Sequence, residues 1–500
     1  MSQKTPLIKD TLNASELNGL FGDGSTAISG FLRFAQCKKV RIASKGLAAL
    51  KTQGFAAPTV LLLLLLMPLL GLPNVNMFMH SELASLAGAC KDVYYRLLND
   101  PMVEWRRLHY GFVKAFLSGS GTAKMEEPSS KAKPTCFILD DTIGAKTGRH
   151  IEGTGMLFDH SCGRFVLGLK YLFVGFWDGS SFIPLDFSIH RERGKNSKKP
   201  FGLSMRYFLE QTKKKWPSWT AGFKRRKELD TDKISAAIKM LKRAAKNGIT
   251  ADYLLVDSWF VCDLLLSEVY LARRIGHLLG QAKNDRRKYA FQGAEYTGQA
   301  LKKKLSSKWK RCKRLRMQYL QVDVVYKDTP VRLYFTRQHG CQKERLLLTT
   351  DRSLSFTQAF DIYAIRWTIE VYFKEAKQLL KLGKCQSTSF DAQIAAASIC
   401  MMQYTALAHQ KRIGSYRTLG GLFRDCKQEA SEALLNEKII KAIISMLTLL
   451  GETLGLDWEK VLRKIISDEA YSKTMAKIMQ ALADPSPTNE NNHNTLKKSV

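Results

Sequence analysis

The chain has 500 residues, 45% of them hydrophobic, and sets 78 Lys and Arg against 45 Asp and Glu, a formal charge of +33. That length suggests two to four units around a sizeable core, the apolar fraction excludes a disordered chain, and so large a cationic surplus calls for a polyanion, nucleic acid first and anionic membrane second. The 10 cysteines stand singly, the 9 histidines show no ligand spacing and no G-x-x-x-x-G-K-[ST] loop occurs, which speaks against structural zinc, a disulfide framework and an NTP-driven machine, and for a reducing cytoplasm.

Residues 1–120 read as mostly helical. In APTVLLLLLLMPLLGLP, residues 57–73, Pro58 and Pro68 bracket a run of only 9 residues. A span needs about 20, so this run predicts a short helix buried in an N-terminal bundle, and no membrane partner. It begins too far from Met1 for a signal peptide. Residues 80–100 read as helix, Ala-Gly-Ala turn and second helix carrying Lys91 and Arg96, a helix-turn-helix outline that ordinary helical hairpins share. The Ser-, Gly-, Lys- and Pro-rich stretch at 121–134 reads as a linker.

From 135 the pattern changes to strands. TCFILD (135–140), RFVLGLKYLFVGFWDG (164–179) and SFIPLDFSIH (181–190) predict a meander, with Asp178-Gly179 as a turn. A basic connection over 191–233 follows, then an amphipathic helix at 235–249 stopped by Asn-Gly. YLLVD (253–257) reads as a buried strand, followed by a helix at 259–272 and a strand at 277–283. Residues 284–344 form a basic β-rich insertion in which KKKLSSKWKRCKRLR surrounds Trp309. RLLLTTD (345–351) restores the apolar strand pattern, one helix is expected over 356–382, and helices continue to 483 before a polar, disordered tail at 484–500.

The helix YAIRWTIEVYFKEAK places Tyr363, Arg366, Glu370, Lys374 and Lys377 within an arc of about 80°. Ile365, Ile369, Tyr372, Ala376, Leu379 and Leu380 form the opposite, core-facing side. Taken alone, such a stripe is an ordinary solvated face with one i,i+4 pair, Glu370 and Lys374, worth a few tenths of a kcal/mol. The other acids give it more meaning. Asp140 closes the first strand of the meander and Asp257 closes a later buried one, and strand-end carboxylates of α/β sheets sit where ligands bind. Three converging carboxylates could hold two Mg²⁺ ions, and two metals about 3.5–4 Å apart stabilise the attacking and leaving oxygens of an in-line phosphoryl displacement. Asp140 and Asp141 are adjacent, and strand alternation lets only one of them face the ions. Asp263 competes weakly with Asp257 from inside a helix pattern, and Glu375 points about 140° from Glu370.

This order of elements resembles the RNase H-like catalytic core of DDE transposases. Tyr363, Arg366, Glu370 and Lys377 reproduce Y-x2-R-x3-E-x6-K, the YREK pattern of the bacterial transposases grouped as the "insertion sequence four" family. LDDT (139–142) resembles that family's first Asp motif, D-x-T, which favours Asp140 over Asp141, and LLVDSW (254–259) resembles its second. The resemblance spans about 135–410. It implies an α/β RNase H-like core in two parts, 135–283 and 345–410, interrupted by the insertion at 284–344. An N-terminal helical DNA-end-binding domain (1–120) and a C-terminal helical region (411–483) would flank it.

The resemblance further implies that Asp140, Asp257 and Glu370 are the catalytic and metal-binding residues, for two Mg²⁺ ions with Mn²⁺ as a substitute. Arg366, Lys374 and Lys377 would grip end phosphates, Tyr363 would donate its hydroxyl to a phosphate at the cleaved end, and Trp367 or Trp309 would stack an unpaired base. The implied activity is cut-and-paste transposition by end nicking, a hairpin intermediate and strand transfer. Its partners would be terminal inverted repeats and target DNA, bound by a homodimer on paired ends in the cytoplasm, with the nucleoid. A nuclease or resolvase that cuts without rejoining, or an inert DNA-binding relative, are the other readings.

Overall fold

A computed structural model describes residues 19–21, 26–50, 54–119, 133–211, 213–271, 275–338, 344–414 and 416–455. Nearly all of the expected linker, the helices expected beyond 455 and the expected tail lie outside the described residues. The chain divides into two compact units, Met1–Ser431 and Glu432–Val500.

The first unit opens with helices α1 (Ala27–Ala35), α2 (Lys38–Ala49), α3 (Ala57–Leu66), α4 (Val75–Met79), α5 (Glu82–Ala87), α6 (Lys91–Leu98) and α7 (Trp105–Gly119). Helix α3 is the leucine run. Apolar on every side, it is buried on every side, with all six leucines at 61–66 no more than 6% exposed. Pro58 sits in its first turn, where the lost N–H has no intrahelical partner, and the side-chain amide of Gln403 donates to the carbonyls of Leu64 and Leu65 at its end, 3.3 and 3.0 Å away. Among the described residues no helix is long and apolar enough to cross a membrane. Helices α5 and α6 are joined through Gly88, whose φ of +64° is a left-handed cap conformation that favours glycine.

A 12-stranded mixed sheet forms the centre. Its strands are β1 (Cys136–Ala145), β2 (Gly155–Asp159), β3 (Arg164–Trp177), β4 (Phe182–His190), β5 (Ala251–Val256), β6 (Ile275–Ala282), β7 (Lys288–Phe291), β8 (Ala294–Thr297), β9 (Lys310–Cys312), β10 (Met317–Tyr326), β11 (Thr329–Gln338) and β12 (Glu344–Thr349). β1 lies between antiparallel β3 and parallel β5, β4 pairs with the far side of β3, and β6 continues parallel to β5. β12 then pairs antiparallel with β6, so the strands of the insertion prolong the same sheet through β11 and β10. β2, which the apolar pattern does not reveal, extends the β3 hairpin.

The remaining helices of this unit are α8 (Met205–Glu210), α9 (Ala221–Lys227), α10 (Lys233–Lys246), α11 (Asp263–Leu271), α12 (Gly298–Lys304), α13 (Phe356–Ala364), α14 (Trp367–Gln378) and α15 (Phe390–Ile413). The last described helix is α16 (Leu419–Thr453). The expected basic connection over 191–233 therefore contains two short helices. α10 and α14 cover opposite faces of the sheet: Asp141 meets Lys233 of α10, while Phe173, the register partner of Asp140, packs its ring against Tyr372 and Phe373 of α14.

The single helix expected over 356–382 is two. Ile365, Arg366, Thr368 and Ile369 all bond back three residues rather than four, and the Thr368 hydroxyl donates to the Ile365 carbonyl at 2.8 Å. β-Branched residues and a hydroxyl competing for a helix carbonyl tighten the turn there, and α13 ends where α14 begins. Of the expected apolar face, Ile369, Tyr372, Ala376 and Leu380 are buried, while Ile365 and Leu379 are half-buried.

Candidate active site

Leu139 and Val256 are register partners across the parallel β1–β5 step. Asp140 and Asp257, each one residue further on, therefore emerge side by side where the two strands diverge. Asp257 is held by its own turn: its Oδ1 accepts from the backbone N–H of Trp259 at 2.9 Å and of Phe260 at 3.3 Å. Asp140 Oδ1 accepts from the N–H of Asp141 at 2.8 Å, and its Oδ2 faces Arg366.

The tightened turn between α13 and α14 brings Arg366 over the strand ends. Its Nη1 lies 2.9 Å from Asp140 Oδ2 and 3.4 Å from Glu370 Oε1, one guanidinium bridging two carboxylates. Burial, and then repulsion from Asp257 and Glu370, push the Asp140 carboxyl up to about 7 against the opposing pull of Arg366. Asp141 points to the other face, 2.9 Å from Lys233 and 3.6 Å from Lys170. Asp263 bonds to the Tyr326 hydroxyl, and Glu375 accepts from Tyr404 at 3.1 Å.

Three carboxylates supply only oxygen, the donor set of hard cations such as Mg²⁺. Burial raises Asp140 first, and the added repulsion from Asp257 and Glu370 shows that the three carboxylates lie close enough to act on one another. In kind, the residues fit such an ion. Among the described residues no three His, Cys, Asp or Glu side chains close into a metal cage, and Arg366 stands between Asp140 and Glu370.

Two further members of the stripe converge here. Tyr363 lies under Arg366, its ring centroid 5.9 Å from the guanidinium carbon, and burial raises the pKa of its hydroxyl despite that cation. Lys377 donates to Thr142 Oγ1 at 2.6 Å, and burial lowers the pKa of its ammonium. Lys374 is exposed on the outside of α14. Trp367, 64% exposed, helps to line a cleft of about 420 Å³ with Tyr363, Arg366, Gln281, Arg345 and Phe360. Trp309 lies in the segment expected as an insertion, half-buried under Arg337 at 4.6 Å, and is not among the side chains gathered at Asp140.

Gln281 and Arg345 were not singled out by their sequence context, and Thr142 entered only as the last residue of the LDDT motif. Thr142 has a signal: it is two residues from Asp140 on a strand, hence on the same face. Gln281 and Arg345 reach the cleft through the β6–β12 pairing, and nothing local marks them.

A close approach holds α14 in place. Gly144 on β1 and Gly383 after α14 meet so tightly that a Cβ on Gly144 would lie 3.1 Å from the Gly383 Cα and 2.6 Å from the Tyr171 ring. Beside them, the Lys146 ammonium donates to the carbonyls of Gly383 and Cys385 and to Gln393, at 2.8, 2.6 and 2.7 Å.

No curated protein matches the chain. Among solved structures, the chain is similar to the cryo-EM structure of a piggyBac transposase synaptic complex with hairpin DNA, at 11% identity and a TM-score of 0.43, over 83% of this chain and 82% of that one. Over residues 226–406, which carry Asp257, Tyr363, Arg366, Glu370 and Lys377 but begin after Asp140, the chain matches the family model of a transposase DDE domain.

Proposed function

We propose that the protein is a DNA transposase whose catalytic acids are Asp140, Asp257 and Glu370. The observation that carries this reading is the bridge from Arg366 to Asp140 and Glu370, beside an Asp257 held in register with Asp140. The strand order β4-β3-β1-β5-β6, in which β3 alone runs antiparallel to β1, supports an RNase H-like core. The YREK spacing supports the "insertion sequence four" assignment.

In this reading Asp140, Asp257 and Glu370 hold divalent cations, two Mg²⁺ or Mn²⁺, which when bound polarise the scissile phosphate and lower the pKa of water. The chain's own residues do the rest. Arg366 pairs with the carboxylates while no substrate is present and offers the same planar nitrogens to a backbone phosphate. Lys374, exposed one turn past Glu370, and Lys377, anchored on Thr142, extend the cationic track. Tyr363 keeps its hydroxyl protonated, as a donor to a phosphate oxygen, and Trp367 offers an exposed ring beside the cleft for an unpaired base. The substrate is double-stranded DNA, cut at terminal inverted repeats by a homodimer on paired ends, through a hairpin, and joined to target DNA in the cytoplasm.

The test is end-labelled DNA from the immediate flanks of the gene, incubated with purified protein and Mg²⁺ beside an unlabelled target plasmid. Breaks at a fixed inverted repeat, followed by joining to the plasmid, are expected. Breaks without joining would leave a nuclease, and binding without breaks would leave an inert relative.

A further inference from the structure

On the sheet face opposite Asp140, three guanidinium groups surround two carboxylates. Asp186 of β4, 2% exposed, accepts from Arg106 and Arg243 at 2.7 Å each, and Glu228 accepts from Arg106 at 3.0 Å. Arg225 of α9 is the cation left over. It approaches Glu228 and Asp186 only to 3.6 and 3.8 Å, and its guanidinium sits over Phe187 with 4.3 Å between the central carbon and the ring centroid. It is 6% exposed, and its Nε and Nη2 meet no acceptor among the described residues. The Tyr110 hydroxyl likewise has no partner among the described residues. Burial and the neighbouring Arg106 push the Arg225 pKa down to about 10, as expected for a cation short of anions.

Arg225 and Tyr110 both line a cavity of about 700 Å³, within the usual range of small-ligand sites. Seven cationic side chains line it against three carboxylates. Of those three, Glu104 already pairs with Arg107 at 3.5 Å. Asp391 accepts from Trp216 at 2.8 Å, and its free Oδ1 is packed against Gly222, where a Cβ would lie 2.4 Å from it. Lys39 and Lys114 stand exposed at this cavity, their helices joined by a 3.5 Å contact from the Lys39 ammonium to the Lys114 carbonyl. Most buried donors in folded proteins are satisfied. Here two N–H groups of Arg225, themselves buried, lack an acceptor among the described residues at the wall of a cationic cavity.

We propose that this cavity is a phosphate-binding site, in which Arg225 and Arg243 receive the anion and Lys39 and Lys114 flank its entrance. The phosphate has two possible sources, a free phosphate group or the backbone of DNA, and the second source rests on the transposase reading given above. Planar guanidinium donors suit either, because both present the same tetrahedral oxygens.

The full chain is tested with inorganic phosphate at constant ionic strength, chloride making up the balance, by calorimetric titration and thermal melting. The variants are Arg225→Met and the surface pair Lys39→Gln with Lys114→Gln; the surface pair still discriminates between the outcomes if loss of Arg225 prevents folding. Bound phosphate that loses about tenfold or more of its affinity in Arg225→Met, and severalfold in the lysine pair, would establish a free-phosphate site. No response to free phosphate, with a salt dependence of duplex binding that falls by about one unit of log–log slope in the same variants, would establish a backbone phosphate. If phosphate binds neither way and the slope is unchanged in every folded variant, the site does not exist. The transposase reading fails separately: phosphate binding by a protein that never cuts DNA would refute that reading alone, and DNA cutting with no phosphate effect and an unchanged slope would refute this site alone.

Discussion

Arg366 Nη1 stands 2.9 Å from Asp140 Oδ2, across 226 residues of sequence, and 3.4 Å from Glu370 Oε1, across four. One guanidinium thus ties the helix acid to the strand acid. In the proposed reading, the nitrogen that pairs with both carboxylates in the free protein would meet the phosphate of a bound strand. This pairing makes Arg366 the residue whose removal separates organisation of the site from mere folding.

Arg366→Ala is expected to lower the rate of strand cleavage by about 10²-fold or more, the usual scale for losing a preorganised charge donor at a reacting oxyanion. Arg366→Lys should recover little, because an ammonium cannot present two planar nitrogens at once. Single-turnover cleavage of pre-bound DNA is the measurement. Full activity in the alanine variant would show that the bridge is structural.

Asp140→Asn should make the metal-free protein more stable at neutral pH and above. The Asp140 pKa is raised to about 7 in the folded state, against 3.8 for the free side chain. A raised acid favours folding while it is protonated, and that contribution is lost as pH climbs through the folded value. The gain from asparagine is therefore nil below about pH 4, grows through the acidic range and is complete above about pH 7, at roughly 1–4 kcal/mol. Melting curves in a chelator from pH 4 to pH 8 check this. A gain that is the same at every pH would contradict the assigned environment.

Lys377 and Thr142 should be energetically coupled. The 2.6 Å bond between them joins α14 to β1 next to the acids. In a double-mutant cycle of Lys377→Met and Thr142→Val, chemical denaturation should give an interaction energy of about 0.5–3 kcal/mol. Additive single effects would mean that the bond is absent in solution.

Gly144→Ala should destabilise the fold by about 1–3 kcal/mol and slow cleavage, although Gly144 is not one of the acids. The added carbon would meet the Tyr171 ring at 2.6 Å and press on Gly383, moving the loop that follows α14. Equal thermal stability and activity in wild type and variant would show that the two glycines do not meet.

Much of the site was legible locally. Helical periodicity was enough to put Arg366, Glu370 and Lys377 on one stripe, while Tyr363 lies across the break on α13, and strand alternation forced Asp140 and Asp141 to opposite faces. Their environments here differ accordingly, Arg366 for one and Lys233 with Lys170 for the other. The β1–β5 register that sets Asp140 beside Asp257 joins segments more than a hundred residues apart, and no local pattern encodes it. The break at Ile365–Arg366 depends on a threonine hydroxyl choosing a helix carbonyl, which apolar periodicity does not register. The Arg106, Arg225 and Arg243 cluster was invisible for the same non-local reason: three helices and a strand contribute to it, and in sequence its members look like ordinary surface cations.

The most direct test of the catalytic assignment compares wild type with Asp140→Ala, Asp257→Ala and Glu370→Ala on the same end-labelled flanking DNA, with binding and Mg²⁺-dependent cleavage measured in parallel. If these three acids form one site, each variant binds the DNA ends as wild type does and cuts none of them. Cleavage at the wild-type rate by any one variant that still binds would remove that residue from the site, and cleavage by all three would place the chemistry elsewhere in the protein.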